Sequence, residues 1–245
     1  MQEGLLLNMI CNFDTELIET IVQTDQVKSF RFVPGAHCTF DAGQYFFLTI
    51  NVNSEEKTKH FSFSSSPSEK KYLEFTKKIT QSDFSGTLNT LKPRTPAKIR
   101  MPYGAFTLKK DVKKYAFLSG GIGITPIKSI CSYVTAANID CSVKIIYGNS
   151  EEKDIIFRKE LDDVSSNNKH IEVFYTLTAK NNSATWNGLT GYIDKHMIEH
   201  LMPDFRERLF YICGPPAMVK GLTGILSDEL NIEKEKIVTE NFNGY

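Results

Sequence analysis

The segment SGGIGITPIKS, residues 119–129, sets three glycines and a Thr-Pro pair directly behind the apolar run Tyr115-Ala116-Phe117-Leu118. A short apolar run reads as a buried strand, and Thr125 and Pro126 are the residue types that open a helix, at the N-cap and the first helical position. Between them lies a turn that is almost free of side chains. Gly120, Gly121 and Gly123 can take positive φ and leave room for a ligand, and the unpaired amides and dipole at the helix start favour an anion there. The spacing is not the G-x-G-x-x-G of the common dinucleotide fingerprint, and Gly-rich strand-to-helix turns also serve packing. Taken alone, the turn leaves its ligand open.

Outward from this turn, residues 143–147, 171–178, 210–213 and 237–242 are further strand candidates, separated by segments long enough for crossover helices. With 115–118 they make a five-stranded parallel sheet of the α/β, doubly wound kind. The stretch YICGPPAMVKG, residues 211–221, is a second strand end followed by a turn and a helix. Strand carboxyl ends line one crevice in such sheets, so Cys213, Gly214 and Pro215 should open onto the same cleft as the Gly120 turn.

Before residue 111 the rhythm differs: ELIETIVQ, SFRFVPG, GQYFFLTI, KHFSFSSSP, KYLEFTKKIT and AKIRMPYGAFTL alternate and are rich in aromatic and β-branched residues. Six such runs without a long helix predict an antiparallel six-stranded β-barrel. A basic, polar cluster near 109–114 divides the chain into domains at 1–110 and 111–245.

Composition is that of an ordinary globular chain, 41% hydrophobic and 24% charged over 245 residues, with no apolar run near the ~20 residues that a membrane span needs. The start, MQEGLLLNMICNFDTE, has no basic n-region, so neither signal peptide nor anchor is expected and a cytoplasmic location is the default. The five cysteines are scattered, without a Cys-x-x-Cys pair; free thiols are expected rather than a disulfide framework or an iron-sulfur centre. The five histidines lack metal-ligand spacing, so no metal site is expected. Zero net charge argues against nucleic acid as a partner. Residues 57–110 nevertheless hold twelve Lys/Arg against three acids, a solvated face or an attraction for phosphates or an acidic protein.

Together these pieces resemble the ferredoxin-NADP reductase superfamily over essentially the whole chain. KHFSFSSSP (59–67) is similar to its flavin motif R-x-[YF]-S-x-x-S, GGIGITP (120–126) and CGPPAMV (213–219) to its nicotinamide-nucleotide motifs, and ENFNGY (240–245) to its flavin-covering tail. FDAGQYFFL (40–48) and MPYGAFTL (101–108) match barrel segments of the family. The resemblance implies bound FAD rather than FMN, NADPH or NADH as co-substrate, and a separate electron acceptor, an acidic ferredoxin- or flavodoxin-like protein. A free-flavin reductase and a non-catalytic electron-transfer subunit are the alternatives.

The resemblance also implies roles by position. Lys59 stands where the family has a phosphate-gripping arginine, a departure that exchanges a planar fork for a mobile point charge. His60 follows it, Phe61 is an aromatic wall for the isoalloxazine, and the Ser62 hydroxyl faces flavin N5. Ser85, Gly86 and Thr87 offer small residues and free amides to the flavin phosphate. Tyr245 covers the ring, and Cys213 and Glu240 orient the nicotinamide, with Ser62 as the third catalytic residue. Alternation places Lys59, Phe61 and Phe63 on one strand face and His60, Ser62 and Ser64 on the other, so Phe61 and Ser62 share the ring only if the strand bends or lies edge-on. The segment YGNSEEKD (147–154) and the loop after Thr178 are where a 2′-phosphate would be read; the first carries Glu151 and Glu152 but no arginine, Lys153 and Lys180 are nearby, and the coenzyme stays open.

Overall fold

The computed structural model describes residues 10–179 and 185–242. The first half contains β1 (Cys11–Val22), β2 (Val27–Phe32), β3 (Tyr45–Val52), β4 (Glu55–Ser62), β5 (Leu73–Lys78), helix α1 (Asp83–Thr90) and β6 (Pro96–Tyr103). The six strands form one antiparallel sheet in the order β4-β3-β6-β1-β2-β5. It curls because alternate residues are apolar: β3 buries Phe46, Leu48, Ile50 and Val52 and turns Phe47 and Thr49 outward. Phe30, Phe46, Phe63 and Phe75 are fully buried at its centre, and burying each such side chain stabilises the fold by ~1.5–3 kcal/mol. Closure is incomplete, because no strand ladder joins β4 to β5; just past β4, Phe63 makes an isolated bridge to Phe75. Strand β4 therefore keeps one open edge, with Phe84 and Leu88 of α1 packed into the core close by.

The second half runs β7 (Lys114–Gly120), α2 (Ile124–Ala136), β8 (Ser142–Asn149), α3 (Arg158–Asn167), β9 (Ile171–Leu177), β10 (Leu189–Thr190), α4 (Lys195–Leu201), β11 (Leu209–Gly214), α5 (Pro216–Gly224) and β12 (Ile237–Asn241). All strand pairs are parallel, in the order β10-β9-β8-β7-β11-β12. The five expected strands are present, joined by the two-residue β10, which is too short to leave a periodic signal. Both β7 and β11 are apolar along their length because layers cover both faces, one core around Phe117, Ile145 and Tyr211 and another around Leu118, Ile146 and Phe210. Strand order reverses between β7 and β11, which puts the crevice of the sheet between their carboxyl ends.

Two features of the fold were not expected. Cys11 and Cys38, 27 residues apart, are joined as a disulfide, because the start of β1 and the loop before β3 meet with their Cα atoms 6.0 Å apart; Cys131, Cys141 and Cys213 remain buried thiols. The halves are also fastened by a buried carboxylate. Glu74 of β5 accepts from Arg31 Nε and Lys128 Nζ, both at 2.9 Å, and from Ser64 Oγ at 2.9 Å, while Ser129 Oγ of α2 donates to the Ser65 carbonyl at 2.6 Å. Burial alone would raise the Glu74 pKa, but the Lys128 charge and the hydrogen bonds hold it below the usual carboxylate range.

Candidate active site

The glycine turn is built differently from the expectation at its helix. A 3₁₀ turn over Gly121–Gly123 comes first, Gly123 is the N-cap of α2 and no side chain caps it. Thr125 and Pro126 lie one step inside the helix and are buried, so Thr125 does not cap. Positive φ is confined to Gly121, at +52°, where a side chain would meet nothing within 4 Å: this residue is bare toward the cleft. Gly120 has φ −135° and Gly123 has φ −61°. Gly123 lacks a side chain for another reason, because any Cβ there would run into the carbonyl of Cys213. That contact locks the first turn to the second, and Pro126, having no N–H, sits where helical amides lack acceptors in any case.

A cavity of about 1040 Å³ opens over this junction, lined by Gly120, Gly121 and Ile122, by Gly148 and Asn149 at the end of β8, and by Pro215 and Met218. It is of dinucleotide size. Cys213 and Gly214 are buried behind it, and Pro215 caps α5 at its rim.

Ser62, Cys213 and Glu240 come together, although 178 residues separate the outer two in sequence. Ser62 Oγ donates to Glu240 Oε1 at 3.2 Å, and Glu240 lies beside Cys213 in the β11–β12 register. Burial pushes the Glu240 carboxyl up to about 7, against the pull of the Ser62 hydrogen bond. Its second oxygen, Oε2, is buried with no hydrogen-bond partner. Burial and then the Glu240 charge drive the Cys213 thiol far up, so it is a neutral, soft wall and not a thiolate.

On the open edge of β4 the alternation holds without a bend. Ser62 faces the second half of the molecule and His60 is exposed beside Tyr45, 5.5 Å between rings. Phe61 is not a wall of the cleft: it is 6% exposed and stacks on Phe75 at 4.3 Å inside the barrel. Lys59 is exposed on the same strand face as Phe61 and is close enough to Lys77 of β5 that, after burial, its charge helps to lower the Lys77 pKa. Residues 85–87 are helical rather than a loop, and two of their amides are taken, Ser85 N by Ser82 Oγ at 3.3 Å and Gly86 N by the Ser82 carbonyl at 2.9 Å. What α1 offers instead is a hydroxyl cluster of Thr80, Ser82 and Ser85, and open space at Gly86. Tyr245 lies outside the described residues.

A flavin fits this donor set. Lys59 is exposed on β4 and Lys77 lies near it on β5, its ammonium donating to the Lys78 carbonyl at 3.1 Å, and Glu240 Oε2 beside Ser62 is an acceptor in want of an N–H donor, which a flavin ring or a nicotinamide carboxamide supplies. Sequence reasoning missed Lys77, hidden in the basic run KK, and Asn149, whose short polar side chain ends an apolar strand.

Comparison with known proteins finds two family models along the chain. Residues 14–108 match the family model described as an oxidoreductase FAD-binding domain, and residues 117–223 match that of an oxidoreductase NAD-binding domain. The glycine betaine monooxygenase reductase subunit of Pseudomonas aeruginosa is 27% identical over 214 residues, covering 85% of this chain and 58% of the relative. The chain thus spans little more than half the length of that protein. NADH-cytochrome b5 reductase 1 of Dictyostelium discoideum is 28% identical over 218 residues, 86% of this chain and 76% of its own. Among solved structures, the FAD/NAD-binding domain of nitric oxide dioxygenase from Vibrio cholerae superposes with a TM-score of 0.83 at 22% identity, covering 95% of this chain and 99% of that one.

Proposed function

We propose, for a chain that belongs to the ferredoxin-NADP reductase superfamily, the work of an FAD-dependent NAD(P)H oxidoreductase that passes electrons to a separate acceptor. The observation that carries this reading is the contact of Ser62 with Glu240, which brings the open edge of the flavin half against the carboxyl ends of β11 and β12. Bound FAD would supply the chemistry of accepting a hydride from nicotinamide and releasing electrons onward.

The residues of the chain position and insulate that exchange. In the flavin half, assigned to 1–110, Lys59 and Lys77 hold the flavin phosphates, with the hydroxyls near Ser85 and the bare face of Gly86 beside them, and Ser62 addresses the ring. In the nucleotide half, assigned to 111–245, the Gly120–Gly123 turn receives the pyrophosphate at the start of α2, and Pro215 bounds the opposite side. Glu240 accepts the carboxamide N–H through Oε2. With its pKa pushed up to about 7, the Glu240 carboxyl can take up or release a proton at working pH, and the Ser62 hydroxyl, which donates to Oε1, fixes its orientation. Buried Cys213 excludes water beneath the nicotinamide. Tyr245 is assigned to cover the ring until the nucleotide displaces it.

The acceptor is proposed to be an acidic protein. Lys57 and Lys98 are already paired with Glu55 and Glu56, at 2.5 and 2.6 Å, so with Lys59 turned to the flavin phosphates the surface charge near β4 for such a partner is that of Arg100. Lysine at position 59 favours one other reading, a reductase that releases its flavin. The purified protein separates the two: a stoichiometric yellow complex after gel filtration, bleached by NADH or NADPH, supports the proposal, whereas colourless protein that oxidises the coenzyme only with added flavin supports release.

A further inference from the structure

The far end of the nucleotide cleft is closed from the flavin half. The hairpin between β1 and β2, residues 24–27, lines the same cavity as Asn149, Ser150, Lys153 and Asp154, which follow β8. The hairpin is a tight one, Gln23 N donating to the Val27 carbonyl at 2.9 Å and Val27 N to that of Thr24 at 3.3 Å, and it carries Asp25 at its exposed tip.

Two independent features mark this end as a polar ligand site. Asn149 is 6% exposed, yet neither Nδ2 nor Oδ1 has a hydrogen-bond partner of good geometry: the Tyr147 hydroxyl close to it donates instead to the Gly121 carbonyl at 2.9 Å. Its backbone is held, the carbonyl accepting from Thr178 N at 3.0 Å and Thr178 Oγ1 at 3.3 Å, so the idle amide is fixed at the cavity wall. A buried amide with both functions unused calls for a ligand with a donor and an acceptor, as a ribose diol or an adenine edge presents. The second feature is charge. Lys153 Nζ is already bound to Glu151 Oε2 at 2.8 Å, and Asp154 and Asp25 face the same space. Glu151 first, then Asp154 and Asp25, hold the Lys153 ammonium above the usual lysine range, which places the Asp25 carboxylate within electrostatic reach of this loop from across the cleft. Among the described residues the other cation lining the cavity, Lys78, stands beside Val27 in the β2–β5 pair on the barrel side.

Resting on the reading of the cleft as a nicotinamide-nucleotide site, we infer that Asp25 of the β1–β2 hairpin is a coenzyme-selecting residue: with Asp154 it repels a 2′-phosphate while the Asn149 amide hydrogen-bonds the free adenosine ribose, so the enzyme uses NADH and the flavin half takes part in the choice. Three carboxylates surround one neutralised ammonium at this end, and a 2′-phosphate would bring about two further negative charges, while no arginine is among the described residues that line the cavity.

Calorimetric titration of the protein with 5′-AMP and with adenosine 2′,5′-bisphosphate tests this without any turnover, and kcat/KM for NADH and NADPH tests it in the flavin-loaded enzyme. Wild type should prefer 5′-AMP and NADH. Asp25→Asn should raise affinity for the bisphosphate, and kcat/KM for NADPH, about three- to tenfold at low ionic strength, with the NADH value changed less than twofold. Asp25→Lys should shift the ratio further, and Asn149→Ala should weaken both nucleotides together. As a control for net charge, Asp140→Asn, before the amino end of β8, should leave the ratio unchanged. Preference of wild type for NADPH, or an NADPH/NADH ratio in Asp25→Asn within twofold of wild type, overturns the inference. If neither nucleotide binds nor reduces flavin, the assignment of the cleft fails instead.

Discussion

Glu240→Gln is the substitution through which the proposed site can be read as a stability change, apart from any catalysis. In the folded chain the Glu240 carboxyl is pushed from 4.5 to about 7 by burial, a displacement of ~2.5 pH units. At 1.36 kcal/mol per unit this corresponds to ~3 kcal/mol. Its sign follows from proton binding: between pH 4.5 and 7 the native state keeps a proton that the unfolded chain has lost, so stability falls as pH rises through this window and levels off above it. Glutamine keeps an oxygen for the Ser62 hydroxyl and cannot ionise. Urea unfolding of both proteins between pH 4 and 8.5 should therefore give a difference near zero at the acid end, growing to ~3 kcal/mol in favour of Glu240→Gln above pH 7.5. Other ionisations cancel in that difference. In rapid mixing with NADH the variant should retain flavin but be reduced ~10²-fold more slowly, as for loss of an oriented group at developing charge. Parallel stability curves, with no pH-dependent difference, would refute the buried, proton-holding carboxyl.

Four other outcomes are expected. Gly123→Ala forces a methyl onto the Cys213 carbonyl and should cost ~1–3 kcal/mol in urea unfolding, with weakened nucleotide binding by titration. Lys128→Met leaves the buried Glu74 with Arg31 as its one ion-pair contact and should destabilise the chain by ~3–5 kcal/mol; pairing it with Glu74→Gln should recover part of that loss. Lys59→Arg should lower the flavin dissociation constant a few-fold to roughly tenfold and Lys59→Ala should raise it by more, measured by titration of apoprotein, because arginine adds a second hydrogen bond at the same charge. Deleting Tyr245 should strengthen binding of oxidised nicotinamide nucleotide by roughly tenfold or less, since ring stacking contributes about 0.5–1.5 kcal/mol; unchanged affinity removes the tail from the ring.

The primary sequence alone determined the architecture, because period and composition are local properties. Alternation in GQYFFLTI marks a strand with one buried face, and the unbroken apolar run at 115–118 marks one buried on both. The two bare turns at Gly120 and Gly214 followed, with their common crevice, from the rule that strand carboxyl ends face one way. Everything that depends on distance between segments was decided by tertiary structure. Thr125 looks like a cap, yet the Gly123–Cys213 approach starts the helix earlier. Phe61 and Ser62 are adjacent in a motif, but an unbent strand sends one into the barrel and the other to Glu240. Cys11 and Cys38 meet because β1 and the loop before β3 are folded together, not because of their spacing. Asn149 and Asp25 carry no motif at all; they face one cavity because the hairpin of one domain leans over the sheet of the other, a relation that no local window of residues encodes.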